Sequence, residues 1–586
     1  MWIMLRIREI FIRNFRSICE ETFHLPALTI LVGKNDVGKS NLLEALKILL
    51  EGTATSVDSE DFYDANSALE IRAVLEGVGD YLELCDERSR TKVVRRLDRD
   101  GFLTIRRLAE VPKKLGDIEV LDPESGEFAV TTGIDAPLKP LLPEVIFIAA
   151  LADVADQTKG TKKDALGMLV NQVMSEIVGQ IEPSVRNAYE GANQILNVQA
   201  ADGVETDRRA PELVAIEAEI TAYLKNTFPD ASVRLRVELA SVNEILERVH
   251  VMVKEGTSED AYYRRGQGMQ RTLYLSLLRA EAARIRRGQR VSRPFLLLFE
   301  EPEAFLHPDG QIKMRDALRS ISEGAQVIMA THSPLMVTPD SLPRTIRVEK
   351  CLREGCPRPV TRGIGPVDPT KLTSVQRQLI PLFAIQRSSR FLFSRGVLLV
   401  EGTSDDHLFS AIAERLGQFR LEDHEATIVE TGGKANFVSF AEVLTMLGLN
   451  VWILTDLDFL WDGAGKVLGS DGDLSRFLQE LQALVPIKAD LDESAKRQDR
   501  IQRTQTCANQ LAPLRDVICE KLLMRGIFVL RHGEIEDYVG LGHNAKGQYL
   551  KAAEEIRRGH RPLLNEADFE RILDALRIWA APPAVL

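Results

Sequence analysis

The stretch Leu28-Thr29-Ile30-Leu31-Val32-Gly33-Lys34-Asn35-Asp36-Val37-Gly38-Lys39-Ser40-Asn41 decides the fold. An apolar strand runs into the pattern GxxxxGK[ST], and NLLEALKILL follows as an apolar helix. This strand–turn–helix setting is the one in which the pattern cradles phosphates. Gly33 and Gly38 let backbone N–H groups wrap an anion, and the helix N-terminus adds its positive dipole. Lys39 reaches the outer phosphates, Ser40 ligates Mg2+, and Asn35 and Asn41 complete the contacting set. The segment reads as an ATP-binding loop in an α/β protein.

Further parts of a nucleotide site follow along the chain. Phe295-Leu296-Leu297-Leu298-Phe299-Glu300-Glu301-Pro302-Glu303 is an apolar strand ending in carboxylates. Glu300 is placed to hold Mg2+ through water, and Glu301 to orient or deprotonate the attacking water. Thr331-His332-Ser333 follows the apolar strand QVIMA, where His332 can touch the γ-phosphate. Gly266-Gln267-Gly268-Met269-Gln270 opens a helix over 266–283. The order ATP loop, GQGMQ, FEEPE, THS resembles the ABC-type ATPases of the RecF, SMC and Rad50 group. That resemblance implies ATP sandwiched between two heads, with Gly266 and Gly268 of one copy capping the ATP of the other. No glutamine is identified for the Q-loop contact, and no long heptad run supports a coiled-coil arm.

Hydrophobic periodicity gives the surrounding elements. Strands are expected at 3–15, 21–32, 69–76, 101–108 and 145–150. Residues 160–228 read as helical and 232–255 as β. The Pro-, Gly- and Arg-rich segment 352–370 reads as linker. Strands at 396–400, 426–430 and 451–455 alternate with helices at 405–416 and 436–447, the pattern of a small parallel sheet. A strand at 526–530 and helices at 546–558 and 565–579 close the chain. The expected division is 1–159 and 229–350 for the ATPase, 160–228 for a helical insertion, 351–394 for a linker and 395–586 for the last domain. The apolar stripes of the insertion suit either a second subunit or packing within the chain.

Bulk properties set limits. The 586 residues carry a net charge of −12, with 45% hydrophobic and 27% charged residues. That excludes wholesale electrostatic binding to nucleic acid but leaves room for local basic runs, such as Arg284–Arg293 or Arg387–Arg395. The six cysteines form no CxxC pair and no Cys/His quartet, which points to a reduced, cytoplasmic protein without structural zinc. No apolar run of about 18 residues is present, so no membrane span is expected.

A second constellation lies in GVLLVEGTSD and VWILTDLD. Each is an apolar strand ending in acids: Glu401 then Asp405, and Asp456 with Asp458. Carboxylates at the C-terminal ends of parallel strands point into one crevice. Asp456 and Asp458 share a face if strand geometry continues through them. Hard oxygen donors in such a cluster suit Mg2+ or Mn2+. A third segment, LRHGEIEDY, adds Glu534 and Glu536, while Asp537 reads as an exposed turn acid. The pair EG…DxD resembles the Toprim domain of topoisomerases, primases and certain nucleases.

An ABC head, a helical insertion and a Toprim domain in this order resemble the OLD (overcoming lysogenization defect) family, and the likeness covers nearly the whole chain through FEEPEAFLHP, ATHSP, LLVEGTSD, LTDLD and GEIEDY. The resemblance implies two metal ions held by Glu401, Asp405, Asp456, Asp458 and Glu536, with Glu534 at a neighbouring place. It also implies a C-terminal lysine that stabilises the cleaved phosphate, here Lys551 or Lys546. The implied activity is ATP-regulated, two-metal cleavage of DNA by a homodimer or higher homo-oligomer. Anti-phage defence of the Gabija or retron-linked type is the implied setting, with a helicase-like or reverse-transcriptase partner. The alternatives are an ATP-switched DNA clamp without nuclease activity and a topoisomerase-like enzyme. A primase is a third reading, weakened by the missing zinc motif.

Overall fold

Alternating residues build the first sheet. In Arg6–Phe15, Ile7, Ile10, Ile12 and Phe15 are buried, while Arg6 and Arg13 pair with Glu76 and Glu70. Ile7 and Ile10 fall on opposite parities, and a register shift between Ile7 and Glu9 puts both on the core face. The six antiparallel strands run Ile18–His24, Arg6–Phe15, Leu69–Glu76, Leu103–Ala109, Glu119–Leu121 and Phe128–Val130.

The second sheet orders Val360–Ile364, Thr345–Cys351, Leu28–Val32, Gln326–Thr331, Phe295–Glu300 and Glu144–Ile148. Leu28–Val32, Gln326–Thr331 and Phe295–Glu300 pair in parallel and are buried almost throughout. Continuous apolar runs are what a parallel sheet covered on both faces requires. The Gln326 side chain binds the Ile7 backbone, accepting from its N–H at 2.8 Å and donating to its carbonyl at 2.7 Å, which ties this sheet to the first.

Two sequence expectations change here. Residues 21–32 form no single strand: the chain breaks around Pro26, which lacks a ladder donor, and Ile18–His24 and Leu28–Val32 join different sheets. The segment 352–370 is more than a linker. Val360–Ile364 pairs antiparallel with Thr345–Cys351 at the sheet edge. An edge strand needs no long apolar run, and here burial falls on Val360 and Thr361 alone.

The third sheet is parallel, in the order Ala426–Glu430, Gly396–Val400, Asn450–Thr455 and Ile527–Val529. Helices Thr403–Gly417, Tyr549–Arg557 and Glu566–Ala580 pack on it through Leu408, Phe409, Ile412, Ala552, Ile556 and Leu573. A buried guanidinium joins this sheet to the second. Arg347 donates to the carbonyls of Gly448 and Ser394, both at 3.0 Å, and to Glu349 at 2.7 Å. Lys34 of the nucleotide loop also pairs with Glu425, just ahead of Ala426–Glu430.

The computed structural model describes residues 4–53, 55–84, 87–130, 141–149, 183–201, 204–225, 230, 232, 234–237, 252–255, 258–261, 267–286, 294–374, 376, 389–417, 419–486, 493–541 and 547–580. The chain divides into two units, 1–145 with 291–586, and 146–290. The elements above belong to the first unit, apart from the end of Glu144–Ile148. In the second, a helix over 183–196 leads to the hairpin Gln199–Ala201 with Val204–Thr206, interrupting the expected helical run. Helix Pro211–Lys225 follows, then the hairpin Met252–Glu255 with Ser258–Ala261 and helix Gln267–Arg286. Buried Arg209 binds Asp207 and Glu217, and Glu217 accepts the Leu235 N–H at 2.6 Å. Val214, Ile216 and Ile220 on Pro211–Lys225 are exposed. Gly266, and most of the β expected over 232–255, lie outside the described residues.

Candidate active site

The nucleotide loop is built on left-handed backbone. Gly33 has φ +148° and Gly38 φ +104°, values that glycine alone adopts freely. A Cβ at Gly33 would run into the Val348 carbonyl, and one at Gly38 into Thr361 and Ser17. Helix Lys39–Glu51 opens directly after Gly38. The buried Lys39 ammonium donates to the carbonyls of Gly33 at 3.0 Å and Lys34 at 2.6 Å. Burial drives its pKa down to about 8, against the opposing pull of Glu301, Glu303, Asp36 and Glu300. Asn35 and Ser40 are exposed on the loop and in the first helical turn. The Asn41 amide donates to the Ser17 hydroxyl at 2.6 Å. The Thr361 hydroxyl donates to the Val37 carbonyl at 2.7 Å, so the edge strand braces the loop.

Glu301 sits at φ +46° beyond its strand, with its N–H on the Ala330 carbonyl at 2.8 Å. A non-glycine residue held there stores backbone strain. Glu303 was not singled out in the sequence. One of its oxygens accepts the N–H groups of His332 at 2.7 Å and Ser333 at 3.1 Å, and the other is buried without a partner. Burial, then Lys39, lowers the His332 pKa. The structure thus gathers Lys39, Glu300, Glu301, Glu303 and His332 around one loop. A glycine cradle, a buried lysine ammonium and an orphaned carboxylate oxygen fit a triphosphate with its magnesium. Gly38→Ala is expected to weaken ATP-analogue binding by about tenfold or more, through strain and collision with Thr361; equilibrium titration with a fluorescent nucleotide checks this. Gly268 lies in helix Gln267–Arg286 of the other unit.

Acids from three strand ends meet in the third sheet. Glu401 follows Gly396–Val400, and the Asp405 carboxylate accepts the Gly402 N–H at 3.0 Å. Asp456 and Asp458 depart from the expected geometry. The strand stops at Thr455, and Asp458 is the helical residue (φ −69°, ψ −14°) before Phe459–Asp462. They still converge on the same two cations. Lys434 contacts Asp458, Glu401 at 3.4 Å and Asp456 at 3.7 Å. Arg500 contacts Asp458 at 2.7 Å, Glu534 at 2.8 Å and Asp456 at 3.9 Å. Glu536 lies close enough to Asp405 to raise its pKa. Asp537 accepts the Glu534 N–H at 3.0 Å and caps the turn, in place of the exposed acid expected.

Burial, then Asp405, raises the pKa of Asp456 well above the ordinary carboxylate range. Asp405 is pushed up to about 7 by burial, with Glu536 and Glu401 adding to it and the Gly402 N–H opposing. The native state therefore holds a proton that the unfolded chain has released. Stability of the metal-free protein is expected to fall as pH rises from 3.8 to about 7. Asp405→Asn, which cannot ionise, is expected to reduce the pH dependence of the melting temperature over that range in EDTA, Asp456 supplying the remainder; a variant as pH-dependent as the parent would contradict it.

Among the described residues no three acidic, histidine or cysteine side chains stand as a ready-made ion cage. Lys434 and Arg500 lie between the acids instead. The donor set nonetheless fits divalent cations: it is all hard oxygen, and Glu401, Asp405, Asp456, Asp458, Glu534 and Glu536 outnumber the two cations among them. Sequence reading missed both cations. Lys434 follows Gly432-Gly433 at the C-terminal end of a parallel strand, a position that could have been flagged. Arg500 sits in the charged helix Glu493–Asn509 and carries no local signal. Lys551 is 82% exposed and pairs with Glu555 at 3.9 Å, one helical turn along its own helix and not with the acids of the cluster. Lys546 lies outside the described residues.

Known proteins match along the same lines. The family model "Overcoming lysogenization defect protein-like, TOPRIM domain" matches residues 392–458, and an AAA ATPase domain model matches residues 5–95 and 156–337. The Old nuclease of Escherichia phage P2 is 27% identical over 559 residues, covering 92% of this chain and 93% of the phage protein. Endonuclease GajA of Bacillus cereus (strain VD045) is 24% identical over 521 residues, covering 85% of this chain and 83% of its own. The DNA replication and repair protein RecF of Synechococcus sp. (strain JA-2-3B'a(2-13)) is 26% identical over 362 residues, covering 56% of this chain and 90% of RecF. No described helix is long and apolar enough to cross a membrane. The chain thus carries an AAA ATPase domain continued by an OLD-like TOPRIM domain, and over most of its length it is similar to the Old nuclease and to endonuclease GajA.

Proposed function

We propose that the protein is an ATP-regulated, divalent-metal-dependent DNA endonuclease. The observation that carries this reading is the convergence of Glu401, Asp405, Asp456, Asp458, Glu534 and Glu536 at the strand ends of a Toprim sheet on the same chain as an ATP loop. The nuclease names of the two long relatives support it. These six acids would hold Mg2+ or Mn2+. When bound, such ions supply an activated water and charge stabilisation for phosphodiester hydrolysis. The chain's own part is to fix the oxygens: the Gly402 N–H orients Asp405, and the capped turn at Asp537 orients Glu534. Basic runs around Arg284–Arg293 and Arg387–Arg395 would contribute DNA phosphate contacts.

In the head, Gly33, Asn35, Gly38, Lys39, Ser40 and Asn41 form the ATP loop, Glu300 holds magnesium with Ser40, Glu301 positions water and His332 meets the γ-phosphate. Gly266 and Gly268 would cap ATP on a second copy, making the working unit a homodimer or larger. The exposed Val214, Ile216 and Ile220 suit such an assembly. Anti-phage defence in the cytoplasm, with a helicase-like or reverse-transcriptase partner, is the setting assigned through the family resemblance. The test is cleavage of plasmid, phage and single-stranded DNA with Mg2+ or Mn2+, with and without ATP. Absence of cutting under every condition favours a DNA clamp, and protein–DNA adducts after denaturant quenching favour a topoisomerase.

A further inference from the structure

The two cations inside the acid cluster have no place in the chemistry above. Lys434 is held there by design of the turn. The Thr431 hydroxyl donates to the Val400 carbonyl at 3.1 Å, and the Asn436 amide donates to the Thr431 carbonyl at 2.9 Å. Gly432 and Gly433, at φ +67° and +140°, then aim the lysine back over the strand ends. Its side chain is 9% exposed, yet its ammonium touches acids from two different strand ends. Arg500 comes from helix Glu493–Asn509, which Arg503 ties to the Val485 carbonyl at 2.9 Å. The cluster reaches the surface at Glu401 and Arg500, whose side chains are 39% and 43% exposed, and a Cβ at Gly402, Gly432 or Gly433 would meet nothing within 4 Å.

We propose that Lys434 and Arg500 exchange partners during the catalytic cycle: they neutralise Glu401, Asp456, Asp458 and Glu534 in the metal-free site, and metal binding displaces them onto the substrate phosphates. This deepens the nuclease reading and rests on it for the second half. Both halves follow from charge. An ammonium and a divalent ion cannot share the same carboxylate oxygens at close range, so they compete. Once displaced, an ammonium and a guanidinium in an open crevice are suited to a phosphodiester, and the guanidinium can bind it with two parallel hydrogen bonds.

The test uses metal-stripped full-length protein and its Lys434→Met and Arg500→Met variants. Calorimetric titration with MnCl2 is expected to show about tenfold tighter binding in each variant, because a competing cation is gone. The melting temperature in EDTA is expected to drop, and Mn2+ to raise it by more than in the parent. Unchanged or weaker Mn2+ binding by a variant with parental circular dichroism overturns the exchange. In Ca2+, binding of a short DNA duplex measured by anisotropy is expected to weaken about tenfold in each variant. Undiminished DNA binding overturns the phosphate half. Lys434→Arg, which keeps the charge, is expected to restore both readouts toward the parent, and its failure to do so counts against a role for charge. If the parent cuts no DNA while Mn2+ binding tightens as stated, the nuclease reading fails and the exchange stands; if the parent cuts DNA while Mn2+ binding is unmoved, the reverse holds.

Discussion

Asp456→Ala is expected to abolish DNA cleavage, by on the order of a thousandfold or more, while leaving ATP hydrolysis within about twofold of the parent. The size of the effect follows from position. Asp456 is largely buried, adjacent to Asp405, and reached by both Lys434 and Arg500. Its oxygen cannot be replaced by water without rebuilding the cluster. The fold should survive, because burying this carboxylate is unfavourable: burial first, and then Asp405, raises its pKa well above the ordinary range. Removing it relieves that repulsion, so the metal-free variant should melt no lower than the parent. Plasmid nicking with Mn2+, phosphate release and a thermal melt on one preparation check the three statements. Normal cutting by this variant would remove the acid cluster from the chemistry.

Lys39→Ala is expected to lower ATP hydrolysis by about a hundredfold or more. Here too the residue opposes folding and serves the ligand. Burial pulls its pKa down to about 8, so the chain holds a cation that it solvates poorly. Its ammonium donates to the carbonyls of Gly33 and Lys34. A triphosphate would offer it a stronger acceptor at the same place. The melting temperature without nucleotide should change little, and the stabilisation that ATP gives the parent should vanish. Nucleotide titration by differential scanning fluorimetry, alongside phosphate release, measures both. Glu301→Gln separates binding from hydrolysis, since it keeps the loop and its lysine; ATP should still stabilise that variant. The direction in which either change moves DNA cleavage reports whether ATP licenses or restrains the nuclease.

The two sites were legible to different depths, for physical reasons. The ATP loop is contiguous, so a single window of residues contains its strand, its glycines and its lysine. The Toprim strands were legible because parallel strands buried on both faces read as unbroken apolar runs. What escaped was made by distance in sequence or by the end of regular structure. Glu303 acts through backbone N–H groups of His332 and Ser333, which no side-chain pattern announces. Val360–Ile364 lay in a segment whose prolines and arginines resemble a linker, because an edge strand needs little apolar surface. Asp456 and Asp458 converge although strand geometry ends before them, so the shared-face argument that paired them in the sequence does not apply. Arg500 comes from a helix whose charges look like a solvated face, and Lys434 becomes visible only once the third strand end is known to join the cluster.

The guanidinium of Arg347 has a mechanical consequence. It grips the carbonyls of Ser394 and Gly448, which lie just ahead of Gly396–Val400 and Asn450–Thr455. Glu425, the partner of Lys34, lies just ahead of Ala426–Glu430. These anchors lie at the trailing ends of three strands, and Glu401 and Asp456 follow the leading ends of two of them, about 17 Å away along five residues of extended chain. Extended, hydrogen-bonded strands resist compression, so a push on the anchors moves the blades as a set of pistons and does not deform them. The acids would then shift together against whatever lies in front of them, their mutual spacing kept.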